Sequence, residues 1–325
     1  MPIPLEANAS HIVSLVKQGF ATAFIGFSLS TALYGVTILQ VYLYYRNFPA
    51  DRILWKCVVA LLLTLDSLAS AFAAHALYTD FVLNFGKSPV TDVVIPWSLS
   101  TEKLLVTLIT FVAQAFYANA IWKVTVSKTI TFSIAFLAVV CLALGIVTTV
   151  DIFTRTGLVG GAVGTPRFSI ISGFVQGLAA LDDLLITVVM CFHISHNSSG
   201  LPSTNKFVDT VILYTVSRGI LTAMTQILFL ITNVAFPGNT YYMPFHMCVG
   251  KLYVNGVLCT LNIRQSFRQK TEPQFDTGPA FSFFHPEGTE QSRSQPHPNN
   301  SVNSPTGSTN NPENEPKPSN LKVQS

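Results

Sequence analysis

The chain has 325 residues, of which 49% are hydrophobic and only 11% charged. A soluble globule carries about 25% charged residues, so this composition argues against one. The formal net charge of +3 is too small to point to a nucleic-acid partner. Cys57, Cys141, Cys191, Cys248 and Cys259 are odd in number, lie in apolar runs and show no CxxC spacing. That argues against a disulfide framework or a zinc site; the thiols are expected to pack as small hydrophobes.

Taken in chain order, residues 1–18 form a short N-terminal segment, too polar to supply the apolar core of a cleavable signal. The first span is therefore expected to serve as an uncleaved anchor. Seven apolar runs of about 20 residues or more follow, the length that crosses a bilayer core of about 30 Å. They extend from about Gly19 to Tyr42, Ile53 to Tyr78, Trp97 to Ile121, Ile130 to Val150, Phe168 to Phe192, Phe207 to Thr232 and Tyr241 to Ile263. Glu102 and Lys103 interrupt the start of run three, whose edge is expected at Leu104. Backbone polar groups in lipid need internal partners, so the runs are expected to be helices. Asn47 to Asp51, Asn84 to Pro89, Gly157 to Pro166 and His196 to Pro202 carry the turn residues that separate them. After Thr271 the chain turns to Pro, Ser, Asn, Gln, Thr and Glu, a composition that cannot bury enough surface to order itself. The fold class is thus an all-α polytopic membrane protein, a seven-helix transmembrane bundle over 19–263 with a disordered cytoplasmic tail over 264–325. That tail is a candidate docking segment for a cytoplasmic partner.

Orientation follows from Lys and Arg in the loops. With the N-terminus outside, Arg46, Arg52, Lys56, Lys123, Lys128, Lys206, Arg264, Arg268 and Lys270 fall inside, while Lys17, Lys87, Arg155 and Arg167 fall outside. The bias places the C-terminus in the cytoplasm and favours the plasma membrane over internal membranes. Tyr42, Tyr44, Tyr45, Trp55, Tyr78, Trp97, Trp122, Tyr241 and Tyr242 stand near run ends, as interfacial belts require. Gly173 and Gly177 form a GxxxG pair, expected to serve close packing within the chain.

Ionisable groups inside the runs carry the most information. Asp66, Asp182, Asp183, Arg218 and Lys251 all lie near mid-span. Each would cost about 2.5–3.5 kcal/mol at the bilayer centre on insertion scales, so they are expected to face inward and pair. Arg218 and Asp182 both count to about 16 Å from the inner boundary, and Asp66 and Lys251 to about 18–20 Å. Arg218 should therefore pair with Asp182 or Asp183. Lys251 should pair with Asp66 if spans two and seven touch. Asn255 and Asn262, two turns apart, share a face with Lys251 and suit hydrogen bonds between helices or to water. Together these seven residues are the candidate intramembrane polar pocket, which could hold a small-molecule ligand or a proton or simply lock the helices.

Two segments carry a family resemblance. One is YGVTILQVYLYY from Tyr34 to Tyr45, followed by Asp51, Lys56 and Leu65-Asp66. The other is KLYVNGVLCTLNIR from Lys251 to Arg264. With the span spacing, the chain over about residues 15 to 270 resembles a family of fungal, chiefly basidiomycete, multi-span membrane proteins catalogued as a domain of unknown function. Gly256 stands where that family leads us to expect serine. The resemblance implies the multi-span fold and no activity. Receptor-like sensing or signalling suits seven spans with an outer N-terminus, although no Asp-Arg-Tyr follows span three and no Asn-Pro-x-x-Tyr lies in span seven. A small-molecule or proton-coupled transporter is the alternative suggested by the buried charges. No HExxH, GxSxG or P-loop pattern is present. Neither catalysis nor a cofactor is expected, and the lipid bilayer is the one partner that composition requires.

Overall fold

A segment deprived of water must match its own backbone amides and carbonyls, and a helix does so locally. The computed structural model meets this demand with seven α-helices: α1 (Leu5–Asn47), α2 (Ile53–Tyr78), α3 (Trp97–Val124), α4 (Lys128–Thr154), α5 (Pro166–His196), α6 (Pro202–Ala235) and α7 (Met243–Asn262). It describes residues 5–84, 96–124, 128–154, 166–196, 202–236 and 239–263, and no strand occurs among them. The expected tail, the glycine-rich loop before Pro166 and the turn at 197–201 lie outside the described residues. α1 takes in most of the N-terminal segment that composition set apart, and a single π turn, Thr79–Leu83, prolongs α2. Run three does not begin at Leu104: α3 starts at Trp97, and Glu102 and Lys103 are buried within it.

Six helices, α1 to α6, are long and apolar enough to cross a membrane; α7 is not. The sequence reading expected seven spans, and the shortfall at α7 has a physical cause. Neighbouring helices surround α7: it touches α1, α2, α3 and α6. Twelve of its 20 residues are buried, and none of its large apolar side chains is exposed. A helix that meets protein instead of lipid has no need of an apolar surface all round.

Each helix packs on the next in sequence, and α7 closes the ring onto α1. α3 lies inward as well, touching α5 and α7 besides its neighbours. Its exposed large hydrophobic side chains are confined to Trp97 and Trp122 at its two ends. The outer helices have the opposite pattern, with Phe132, Phe136, Val139, Ile146 and Val150 of α4 turned outward. Asp66, Asp182, Asp183, Arg218 and Lys251 are all buried. Apolar outside and ionic inside is the polarity of a protein whose solvent is lipid. Tyr44 and Tyr242, assigned to the interfacial belts, are buried instead. Tyr44 donates to Asp51 Oδ2 at 2.9 Å, and Tyr242 stacks edge-on against Phe229. The five cysteines are free, but only Cys141 is fully buried.

Glycines set the closest helix approaches. A Cβ on Gly26 would lie 2.8 Å from Pro244 Cα, so α1 and α7 nearly touch there. Gly145 abuts Thr107 of α3, and Gly219 of α6 abuts Thr187 of α5. The GxxxG pair Gly173 and Gly177 faces Leu230 of α6, which is packing within the chain. Gly219→Leu should force α5 and α6 apart and cost about 1–3 kcal/mol, the usual range for overpacking. Gly35→Leu, where a Cβ meets nothing within 4 Å, should be neutral. Thermal unfolding of both variants in detergent checks this; equal melting temperatures would refute the close α5–α6 approach.

Candidate functional site: a column of paired charges along α7

Lys251 points from the middle of α7 toward α2. Its Nζ donates to Asp66 Oδ1 at 2.6 Å, to the Asp66 carbonyl at 3.0 Å and to Ser70 Oγ at 2.5 Å. An ammonium has three protons, so its donor capacity is filled. The Tyr34 ring of α1 lies 5.1 Å from the same nitrogen, a cation–π contact that shields its remaining side. The pairing expected between spans two and seven is therefore present, and it depends on ring closure, which brings α2 against α7.

Two residues further along α7, Tyr253 enters the second pair. Arg218 Nη2 of α6 donates to Asp183 Oδ1 of α5 at 3.0 Å, and Tyr253 donates to Asp183 Oδ2 at 2.8 Å. Gln226 Nε2 of α6 donates in turn to the Tyr253 hydroxyl at 2.6 Å. The guanidinium carbon lies 3.8 Å from the centre of the Tyr117 ring of α3. Tyr117 shares a hydrogen bond of 3.0 Å with Thr260 of α7. Gly256 makes this possible: a Cβ there would lie 2.7 Å from Arg218 Cγ, so a serine would press on the arginine stem. Of the two aspartates open to Arg218, the structure selects Asp183. Adjacent helical residues point about 100° apart, so Asp182 cannot share the same approach. Both carboxylate oxygens of Asp182 are without a hydrogen-bond partner.

A third pair went unforeseen. His246 Nε2 of α7 lies 3.0 Å from Glu102 Oε2 of α3, both side chains buried. Lys103 is buried beside them. Glu102 was legible as an ion at the edge of run three, and His246 as a titratable group inside run seven. What the sequence lacked was the contact of α3 with α7, helices far apart in the chain.

Asn255 and Asn262 do not line an open space. Asn255 Nδ2 donates to the Leu33 carbonyl at 3.1 Å, and Asn262 Nδ2 to the Gln40 carbonyl at 2.9 Å. Seven residues separate the members of each set, so α1 and α7 run parallel in register over two turns. The seven candidates therefore fall into a Lys251–Asp66 pair, an Arg218–Asp183 pair, two asparagine ties to α1 and the unpaired Asp182. A cavity of about 10 Å³ touches Asp66, Ser70, Glu102 and Lys251, which is room for about one water. In this conformation the column is filled by its own side chains.

The strength of the α2–α7 pair is open to a double-mutant cycle. Lys251→Met alone leaves Asp66 buried without a counter-ion and should cost about 3–5 kcal/mol. Asp66→Asn with Lys251→Met should recover most of that loss, because neither charge remains. Unfolding in detergent measures both, and additive losses would contradict the pairing.

The family model described as "Family of unknown function (DUF6534)" matches residues 179–266. That stretch holds Asp182, Asp183, Arg218, His246, Lys251 and both asparagines, but neither Asp66 nor Glu102. No curated protein and no solved structure matches the chain. By composition and helix length it is a multi-pass membrane protein, and from the middle of α5 to the end of α7 it is similar to a family whose function is unknown.

Proposed function

We propose that the chain is a seven-span sensing or signalling protein of the plasma membrane, with its N-terminus outside and its C-terminus in the cytoplasm. In this reading its interior charge pairs form a switch. The observation that carries the proposal is the convergence of polar groups from five other helices on α7. Asp66 of α2 holds Lys251, Glu102 of α3 holds His246, the Leu33 carbonyl of α1 holds Asn255, and Asp183 of α5 and Gln226 of α6 both hold Tyr253. A small polar ligand or a proton that captures one partner releases α7 from one helix and not from the others. Such differential contact is what biases a two-state bundle. The parallel register of α1 and α7 supports counting α7 as a seventh crossing, in the same direction as α1. The Lys and Arg bias of the loops supports the orientation, and the resemblance to fungal multi-span proteins supports the family setting. The role is non-catalytic, since most interior acids and bases are engaged with one another.

Three measurements test the reading. Spin labels at Pro49 and at Lys128, beside the expected inner ends of α2 and α4, should report one distance in the wild-type protein. Asp183→Asn, which frees Tyr253 and Arg218, should add a second. A single unchanged distance would remove the switch. The same protein in liposomes should show no voltage-driven proton uptake by an entrapped pH dye; uptake abolished by Asp66→Asn would make the chain a proton-coupled transporter instead. For orientation, cysteines are placed singly at Asn84 and Pro49 in a chain whose native cysteines are replaced. A membrane-impermeant thiol reagent should label the first from outside intact cells and not the second; the reverse would invert the topology.

A further inference from the structure

Among the described residues, the charge inventory of the bundle interior leaves one acid without an ion pair, and one cation, Lys103. Among the described residues, the buried carboxyl groups are Asp66, Glu102, Asp182 and Asp183. The first is paired with Lys251, the second with His246 and the fourth with Arg218. Asp182 is 0% exposed, and neither carboxylate oxygen has a hydrogen-bond partner. An ionised carboxylate in that position would face the full penalty of a charge stripped of water and of donors, and such a group takes up a proton instead. Beside it, Nε and Nη1 of Arg218 are also without partners, although the two side chains lie within electrostatic reach. Donors on Arg218 and acceptors on Asp182 are thus both left unused.

We propose that Asp182 is a proton-binding site, neutral in the conformation described, and that loss of its proton draws the unused nitrogens of Arg218 toward Asp182 and so pulls the guanidinium away from Asp183. In the step, the O–H bond of the Asp182 carboxyl breaks, the proton passes to water, and the carboxylate keeps the electron pair. One negative charge is then added beside Arg218, which two carboxylates must share. The groups facing Asp182 are few. Asp183 is on its own helix, Arg218 comes from α6, and Cys141 comes from α4 within electrostatic range. α3 brings Tyr117 against Arg218, and brings Lys103 and Gln114 to a cavity of about 20 Å³ that Cys141 also lines. Gln114 is itself fully buried with its amide nitrogen and oxygen both unpartnered. That space admits about one water, and Ala179, one turn before Asp182 on α5, lines it. A proton fits the site better than a metal cation, which would need several oxygen ligands and would meet the guanidinium. The binding site rests on the charge inventory; its coupling to α7 through Asp183 and Tyr253 rests on the switch reading above.

Infrared spectroscopy of the full chain in lipid nanodiscs tests the site directly, in H₂O and in D₂O. The wild-type protein at neutral pH should show the carbonyl stretch of a protonated carboxyl, shifted by deuterium. Asp182→Asn, which mimics the neutral acid in size and charge, should lose that band and keep the wild-type melting temperature. No protonated-carboxyl band in the wild-type protein overturns the proposal whether or not the variant folds. So does a band of undiminished intensity in folded Asp182→Asn. A band that titrates away without any change in the spin-label distances leaves the proton site standing and removes its link to the switch.

Discussion

A charge in the middle of a bilayer must find a counter-charge or give up its own, and the interior of this protein is organised around that constraint. Water is absent to screen or solvate the ions of α2, α3, α5, α6 and α7, so each selects a neighbour across a helix interface. Lys251 with Asp66, Arg218 with Asp183 and His246 with Glu102 each join two helices, and two of these pairs join α7 to a helix distant in sequence. Replacing buried ion pairs with hydrocarbon often leaves stability unchanged or raised. Their presence is therefore better understood as specifying which helices meet, and at what height, than as a source of net stability.

The central position of α7 follows from the same balance. His246, Lys251, Tyr253, Asn255 and Asn262 are spread around it, too polar for lipid and matched by partners on the surrounding helices. Gly26, Gly250 and Gly256 let the neighbours come close enough for those short bonds to form. Close backbone approach and polar satisfaction are thus coupled: bulk at position 256 would displace Arg218, and with it the partner of Asp183. Packing in a membrane relies on small residues and interhelical hydrogen bonds because lipid offers no hydrophobic drive between helices. The α1–α7 interface, with Gly26 at one end and the asparagine ties further along, uses both.

Against this satisfied background the unpaired groups stand out. Asp182 of α5, Gln114 of α3 and two nitrogens of Arg218 of α6 are buried without partners. Asp66, Asn255 and Asn262 each leave one oxygen without a partner but are held by another bond, whereas neither oxygen of Asp182 is held, which makes its side the labile seam. A signalling or coupling event needs a labile seam, since a fully bonded network has no second arrangement of similar energy.

Much of this was legible in one dimension. Run length and the scarcity of charge determined that the chain crosses a membrane as helices. Helical rise alone placed Asp66 level with Lys251, and Arg218 level with the two aspartates, so the pairs followed once neighbours were assumed. Depth is a one-dimensional quantity, and the sequence carries it. Azimuth is not, which is why Asp183 rather than Asp182, and asparagines bound to α1 rather than lining a pocket, emerged only when the helices were set beside one another. The Glu102–His246 pair, the burial of Tyr44 and Tyr242 and the inward place of α7 belong to the same class. Hydropathy reports what a helix would need if lipid surrounded it, and only the tertiary arrangement decides whether lipid does.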